Sequence, residues 1–223
     1  MPSVEGTPST GRDTPVGRGL GPTGTAVAAA GLLILTSALF PRVDDPTDPD
    51  RFLAVLADTA ARTRFVLLAV PLGVWALAIA AGALERRLTN GADAAWLRVS
   101  VHALLVAAAV ATVQFGLAHA ALSERLTGTS DGTVLWAGAT YIRWFSLILL
   151  AVGTLTMGVG LLCVPVIPRW LAGPIVPVTV ALLVVSVVGI LGGLTFALQV
   201  ASGGLAALTA IWLVAVGLTL GRG

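Results

Sequence analysis

Residues 170–221 read WLAGPIVPVTVALLVVSVVGILGGLTFALQVASGGLAALTAIWLVAVGLTLG, and no side chain in the run carries a charge at neutral pH. One membrane-crossing helix needs about 20 predominantly apolar residues. This run is about twice that long, so it must double back as a hairpin of two spans. The turn is expected at 199–204, where Ser202, Gly203 and Gly204 are turn-forming residues. That reading gives one span over 175–198 and another over 205–220.

Upstream, the same pattern recurs at shorter length. Apolar runs over 24–40, 65–84, 99–122 and 144–164 are each bounded by charge: Arg42 after the first, Arg64 and Glu85 around the second, Arg98 and Glu124 around the third, Arg143 before the fourth. The expectation is an all-α, polytopic transmembrane helical bundle of six spans forming a single domain over 24–223. Pro71 is expected to kink the second span. Composition agrees, because 57% of the 223 residues are hydrophobic and only 11% are charged, whereas a soluble domain carries about 25% charged residues.

Residues 1–23 are rich in Gly, Pro, Ser and Thr and nearly devoid of large apolar side chains, so they read as a disordered tail that cannot repay its ordering entropy. The first apolar run also fits the core of a signal peptide. Its long, acid-containing leader and the lack of a following Ala-x-Ala site favour a retained helix. Between the first two spans, Asp48, Pro49 and Asp50 carry a helix-start signature, and 51–64 is amphipathic, which predicts a helix lying at the membrane surface.

All 13 basic residues are arginine, and retention of positive charge on the cytoplasmic face sets the orientation. With both termini in the cytoplasm, Arg86, Arg87, Arg98, Arg169 and Arg222 fall inside, and most of the Asp residues fall outside. The setting is then a cell membrane. The net charge of +2 is spread thinly, so no nucleic-acid partner is expected; the lipid bilayer is the partner, with other membrane subunits or a homo-oligomer as further ones.

Few residues can carry chemistry. His102 and His119 both lie in the third span, about 25 Å apart along a helix and on different faces, so they share no metal or haem. The single Cys163 builds no disulfide or thiolate cluster. No metal and no cofactor are expected, and no hydrolase or nucleotide-binding motif is present. A polar cluster is expected at the external end from His119, Tyr141, Arg143 and Gln199, with Arg143 at the membrane boundary and Glu124, Asp131, Gln199 or lipid phosphate as its partner. Aromatic and arginine residues also gather at any bilayer interface as plain anchors. Gly189 and Gly193 form a GxxxG pair, and Thr154 with Gly158 and Thr156 with Gly160 form similar small-residue pairs, suited to helix packing within one bundle or between two copies.

The run YIRWFSLILLAVGTLTMGVGLL at 141–162 and the link PRWLAG at 168–173 resemble uncharacterised six-helix membrane proteins of actinobacteria. The resemblance implies the six-span layout and brings no activity with it. The residues favour a non-enzymatic accessory or structural membrane subunit. The alternative is a small permease or lipid-binding protein with a polar site at the external end, and a second alternative is a redox subunit holding one haem.

Overall fold

The computed structural model describes residues 20–40, 48–88, 93–130, 132–164, 166–192 and 195–222. Among these the protein is all-α: α1 (Gly21–Leu35) with a 3-10 turn (Thr36–Leu39), α2 (Pro49–Asp58), α3 (Ala60–Leu88), α4 (Asp93–Thr127), α5 (Thr133–Cys163), the short α6 (Arg169–Ala172), α7 (Ile175–Gly192) and α8 (Phe196–Gly221). Six helical segments are long and apolar enough to cross a membrane. These are the features of a multi-pass helical membrane protein.

The six long helices close into a ring. α1 packs on α3, α3 on α4, α4 on α5, α5 on α7, α7 on α8, and α8 returns to α1. The ring is drawn tight where α1 meets α8. A Cβ added at Gly217 would fall 2.3 Å from the Ala28 amide nitrogen, and one at Gly24 would fall 2.4 Å from that of Gly221. Only glycine lets two backbones approach so closely. The contact also puts the start of α1 beside the end of α8, so the first and last spans begin and end on the same side of the bundle.

Buried hydrogen bonds tie the ring together. Ser100 Oγ donates to the Gly153 carbonyl (2.7 Å), joining α4 to α5, and Trp212 Nε1 donates to the Leu171 carbonyl (2.6 Å), fixing the α6 link against α8. Gly132 caps the start of α5 with φ 71°, and a Cβ there would lie 2.4 Å from the Ala121 carbonyl oxygen. Both conditions admit only glycine at that tight α4–α5 turn.

Several sequence expectations shift. The helix begins at Gly21, with Pro22 in its first turn where a missing N–H costs nothing; of the segment read as a tail, residues 1–19 lie outside the described residues. The hairpin turn does not fall at 199–204. Thr195 instead caps α8, its side chain accepting from the Leu198 N–H (3.3 Å), and Ser202, Gly203 and Gly204 are interior to α8. A capping threonine outcompetes a glycine pair because a helix in lipid must keep its backbone groups internally bonded. α3 runs helical through Pro71. α2 begins as expected, with the Asp48 side chain accepting from the Arg51 N–H (3.1 Å), but it ends at Asp58.

Candidate functional site

α2 buries its apolar face on the bundle. Phe52, Leu53 and Leu56 are each at most 2% exposed and pack with Leu67, Ala118, Ala121, Leu122 and Ala139 of α3, α4 and α5. Phe52 packs on Trp136 with ring centroids 4.8 Å apart and the planes tilted, and Phe40 joins them, its ring near parallel to that of Trp136. On its outer side α2 is tied to α4 by an ion pair from Arg125 to Asp50 (3.4 Å). This small core caps the end of the bundle opposite the termini. The main core, with Leu77, Leu84, Leu104, Met157, Leu213 and Val216, fills the end near them.

Between the two cores the ring stays open, leaving a cavity of about 250 Å³ lined by every long helix except α7. One end of it is aromatic, from Phe40, Phe52, Trp136 and Phe196, and the other is aliphatic, from Ile34, Val74, Leu150 and Ala206. A polar belt lies between: Arg143, Ser146, Gln114, Gln199 and Ser202. Antiparallel packing of α4 on α5, fixed by Gly132 on Ala121, Gly153 on Leu104 and Gly160 on Leu97, brings Gln114 level with Arg143.

The belt is chemically unusual because its groups are not spent on the protein. Thr112, Thr140, Thr154, Thr179, Ser186 and Thr209 each return their hydroxyl to the carbonyl four residues back on their own helix, as hydroxyls in apolar helices do. Ser146 is 9% exposed, yet its hydroxyl, like the amides of Gln114 and Gln199, meets no hydrogen-bond partner among the described residues. Arg143 donates from one terminal nitrogen to Ser202 Oγ (3.1 Å), which itself donates to the Gln199 carbonyl (3.1 Å). A guanidinium has five N–H donors, so most of its capacity faces the cavity. No carboxylate neutralises it among the described residues. Glu124 is held by the hydroxyl of Ser130 in the α4–α5 turn, and Asp131 lies outside the described residues.

The structure separates the four residues expected to cluster. Arg143 and Gln199 line the cavity together. Tyr141 is 71% exposed on the outer side of α5, and His119 is exposed and lines no part of the cavity. α5 begins at Thr133 and ends at Cys163, so Arg143 lies about 15 Å along it at 1.5 Å per residue, and the rest of the helix beyond it still holds the ~20 residues that one crossing needs. Gly189 packs inside the bundle, where its missing side chain makes room for the Trp144 ring, 2.6 Å from an added Cβ; Gly193 lies outside the described residues. That ring in turn sits 5.6 Å from the Arg143 guanidinium carbon. The sequence offers no reading of Ser146 and offers Ser202 only as a turn residue, because a serine in an apolar run carries no binding signal until the helix faces are known.

Among known proteins, no family model matches the chain, and neither a curated protein nor a solved structure is detectably similar to it.

Proposed function

We propose that this protein is a non-enzymatic membrane protein that binds an anionic amphiphile in the cavity between its two cores. The carrying observation is Arg143, which lines a largely apolar cavity with one neutral hydroxyl as its hydrogen-bond partner. An intramembrane arginine is costly and marks a site by default. A carboxylate or phosphate would take its unused donors, and the aromatic and aliphatic walls would take an apolar body. The lining holds no Asp, Glu, His or Cys, which supports binding over acid–base or nucleophilic chemistry. A purely structural accessory role leaves the unpaired belt without a purpose, and the exposed His102 and His119 offer haem no shared pocket.

The setting we infer is a cell membrane with both termini cytoplasmic, supported by Arg86, Arg87, Arg98, Arg169 and Arg222 at the end where the termini meet. Reporter fusions at the carboxyl terminus should read as cytoplasmic, and one inserted at Asp48 as external. Binding is tested by native mass spectrometry of the purified protein. Wild type should retain an anionic lipid or fatty acid that Arg143→Gln releases, and equal retention by both proteins would sink the reading.

A further inference from the structure

One flank of α8 borders the cavity and is also its least covered part. Phe196, Val200, Gly203 and Gly204 line the cavity and are all exposed. A Cβ added at Gly203 or Gly204 would meet nothing within 4 Å. From Phe196 to Gly204 this flank runs about 12 Å along the helix axis, parallel to the acyl chains of a bilayer. It leads from the aromatic end of the cavity to the level of Ser202, the hydrogen-bond partner of Arg143.

We propose that this flank is a lateral slot, and that the ligand is a single-chain amphiphile of the bilayer: its anionic head rests on Arg143 and Ser202, and its chain passes over Gly203 and Gly204 into lipid. The inference rests on the anion-binding reading above and adds the source and shape of the ligand to it. Three observations carry it. The cavity, at about 250 Å³, is smaller than the ~300 Å³ at which ligand pockets usually begin, so it takes a head and the first part of a chain but cannot enclose a whole lipid. The slot removes that limit, because the rest of the chain stays in the membrane. Ser146, nine-tenths buried and without a protein partner, lies three residues from Arg143 on the same face of α5 and supplies a second donor to a two-oxygen head such as a carboxylate.

The slot can be closed without disturbing the backbone packing, because an added Cβ at Gly203 or Gly204 meets nothing within 4 Å and leucine replaces a poor helix former. The protein in lipid nanodiscs is photolabelled with a palmitate analogue carrying a diazirine in its chain, and butyrate binding is followed separately by saturation-transfer NMR. Wild type should be labelled saturably within 196–207 and should also bind butyrate. Gly203→Leu and Gly204→Leu should lose labelling by at least about tenfold while butyrate binding stays within about twofold, the steric block acting on the chain alone. Arg143→Gln should lose both. Labelling unchanged in the leucine variants overturns the slot while leaving the anion site intact, as does wild type binding butyrate as tightly as the long-chain probe, which would mean a water-borne anion. Loss of neither signal in Arg143→Gln overturns the anion site itself.

Discussion

The sharpest stability test contrasts two glycines of α8 fourteen residues apart. At Gly217 an added Cβ would stand 2.3 Å from the Ala28 nitrogen, 2.6 Å from the Gly24 carbonyl oxygen and 2.8 Å from the Ala28 Cα. All three are backbone atoms, so no side-chain rotation relieves the contact. Non-bonded heavy atoms settle at ~3.5 Å or more, so α1 would have to retreat by about 1 Å over the turn that holds Gly24 and Ala28. Overpacking of this kind costs about 1–3 kcal/mol. At Gly203, where nothing lies within 4 Å, the same substitution meets no clash and gains helix propensity, up to about 1 kcal/mol. Gly217→Ala should therefore lower the thermal midpoint in detergent by several degrees, since about 1 kcal/mol corresponds to roughly 2–4 °C in a chain of this size. Gly203→Ala should leave the midpoint unchanged or raise it. Following intrinsic fluorescence on heating separates the two. If Gly217→Ala proves as stable as Gly203→Ala, the close approach of α1 and α8 is wrong.

Three further perturbations probe other joints. Phe52→Ala removes the ring that seats α2 on Trp136 and should cost about 3–5 kcal/mol, seen as protease cleavage within 49–58 that wild type resists. Ser100→Ala deletes the buried bond to the Gly153 carbonyl, and interhelical bonds of that kind average about 0.6 kcal/mol in membranes; a shift of more than about 2 kcal/mol in an unfolding titration would show that the bond does more than join α4 to α5. Arg143→Leu should unfold at a higher temperature than wild type in ligand-free detergent and gain nothing from added laurate, whereas wild type should gain several degrees.

The helical architecture was legible because one physical requirement, a long uncharged stretch for each crossing, writes itself directly into sequence. Span ends were less so. A Ser-Gly-Gly triplet and a Thr-Phe boundary compete for the last turn, and the winner depends on Thr195 reaching the Leu198 amide, which composition does not reveal. The site was legible in part. Arg143 stands out in any reading, and Gln199 shares its cavity. Tyr141 and His119 share its depth class by sequence position but not its helix face, and face is decided by which neighbours each helix acquires. Gly189 reads as a packing glycine in the sequence, yet the group it admits is the Trp144 ring, on a different helix and invisible without the fold.

The cavity follows from how the two ends of the ring are packed. Toward the termini, Gly24, Gly31 and Gly217 draw α1 and α8 into backbone contact, and the main core fills the interior. Toward the other end the small residues of α8, Gly203 and Gly204, leave open space where a Cβ would stand, and the bulky Phe40, Phe52 and Trp136 pack together into a cap under α2. Helices pinched at one end and capped by rings at the other enclose a space, and the sequence sets an arginine beside it. An arginine within a membrane helix carries a cost that rises toward the bilayer centre, to about 2.5–3.5 kcal/mol there, and a bond such as that to Ser202 returns at most about 1.7 kcal/mol. Besides that bond the guanidinium has the Trp144 ring at 5.6 Å, and no carboxylate pairs with it among the described residues. A leucine there would avoid that cost and pack against Leu147 and Leu150 on the same helix face. A guanidinium that lines an apolar cavity with one hydroxyl as its hydrogen-bond partner thus supports the proposal that an anion completes its hydrogen bonds.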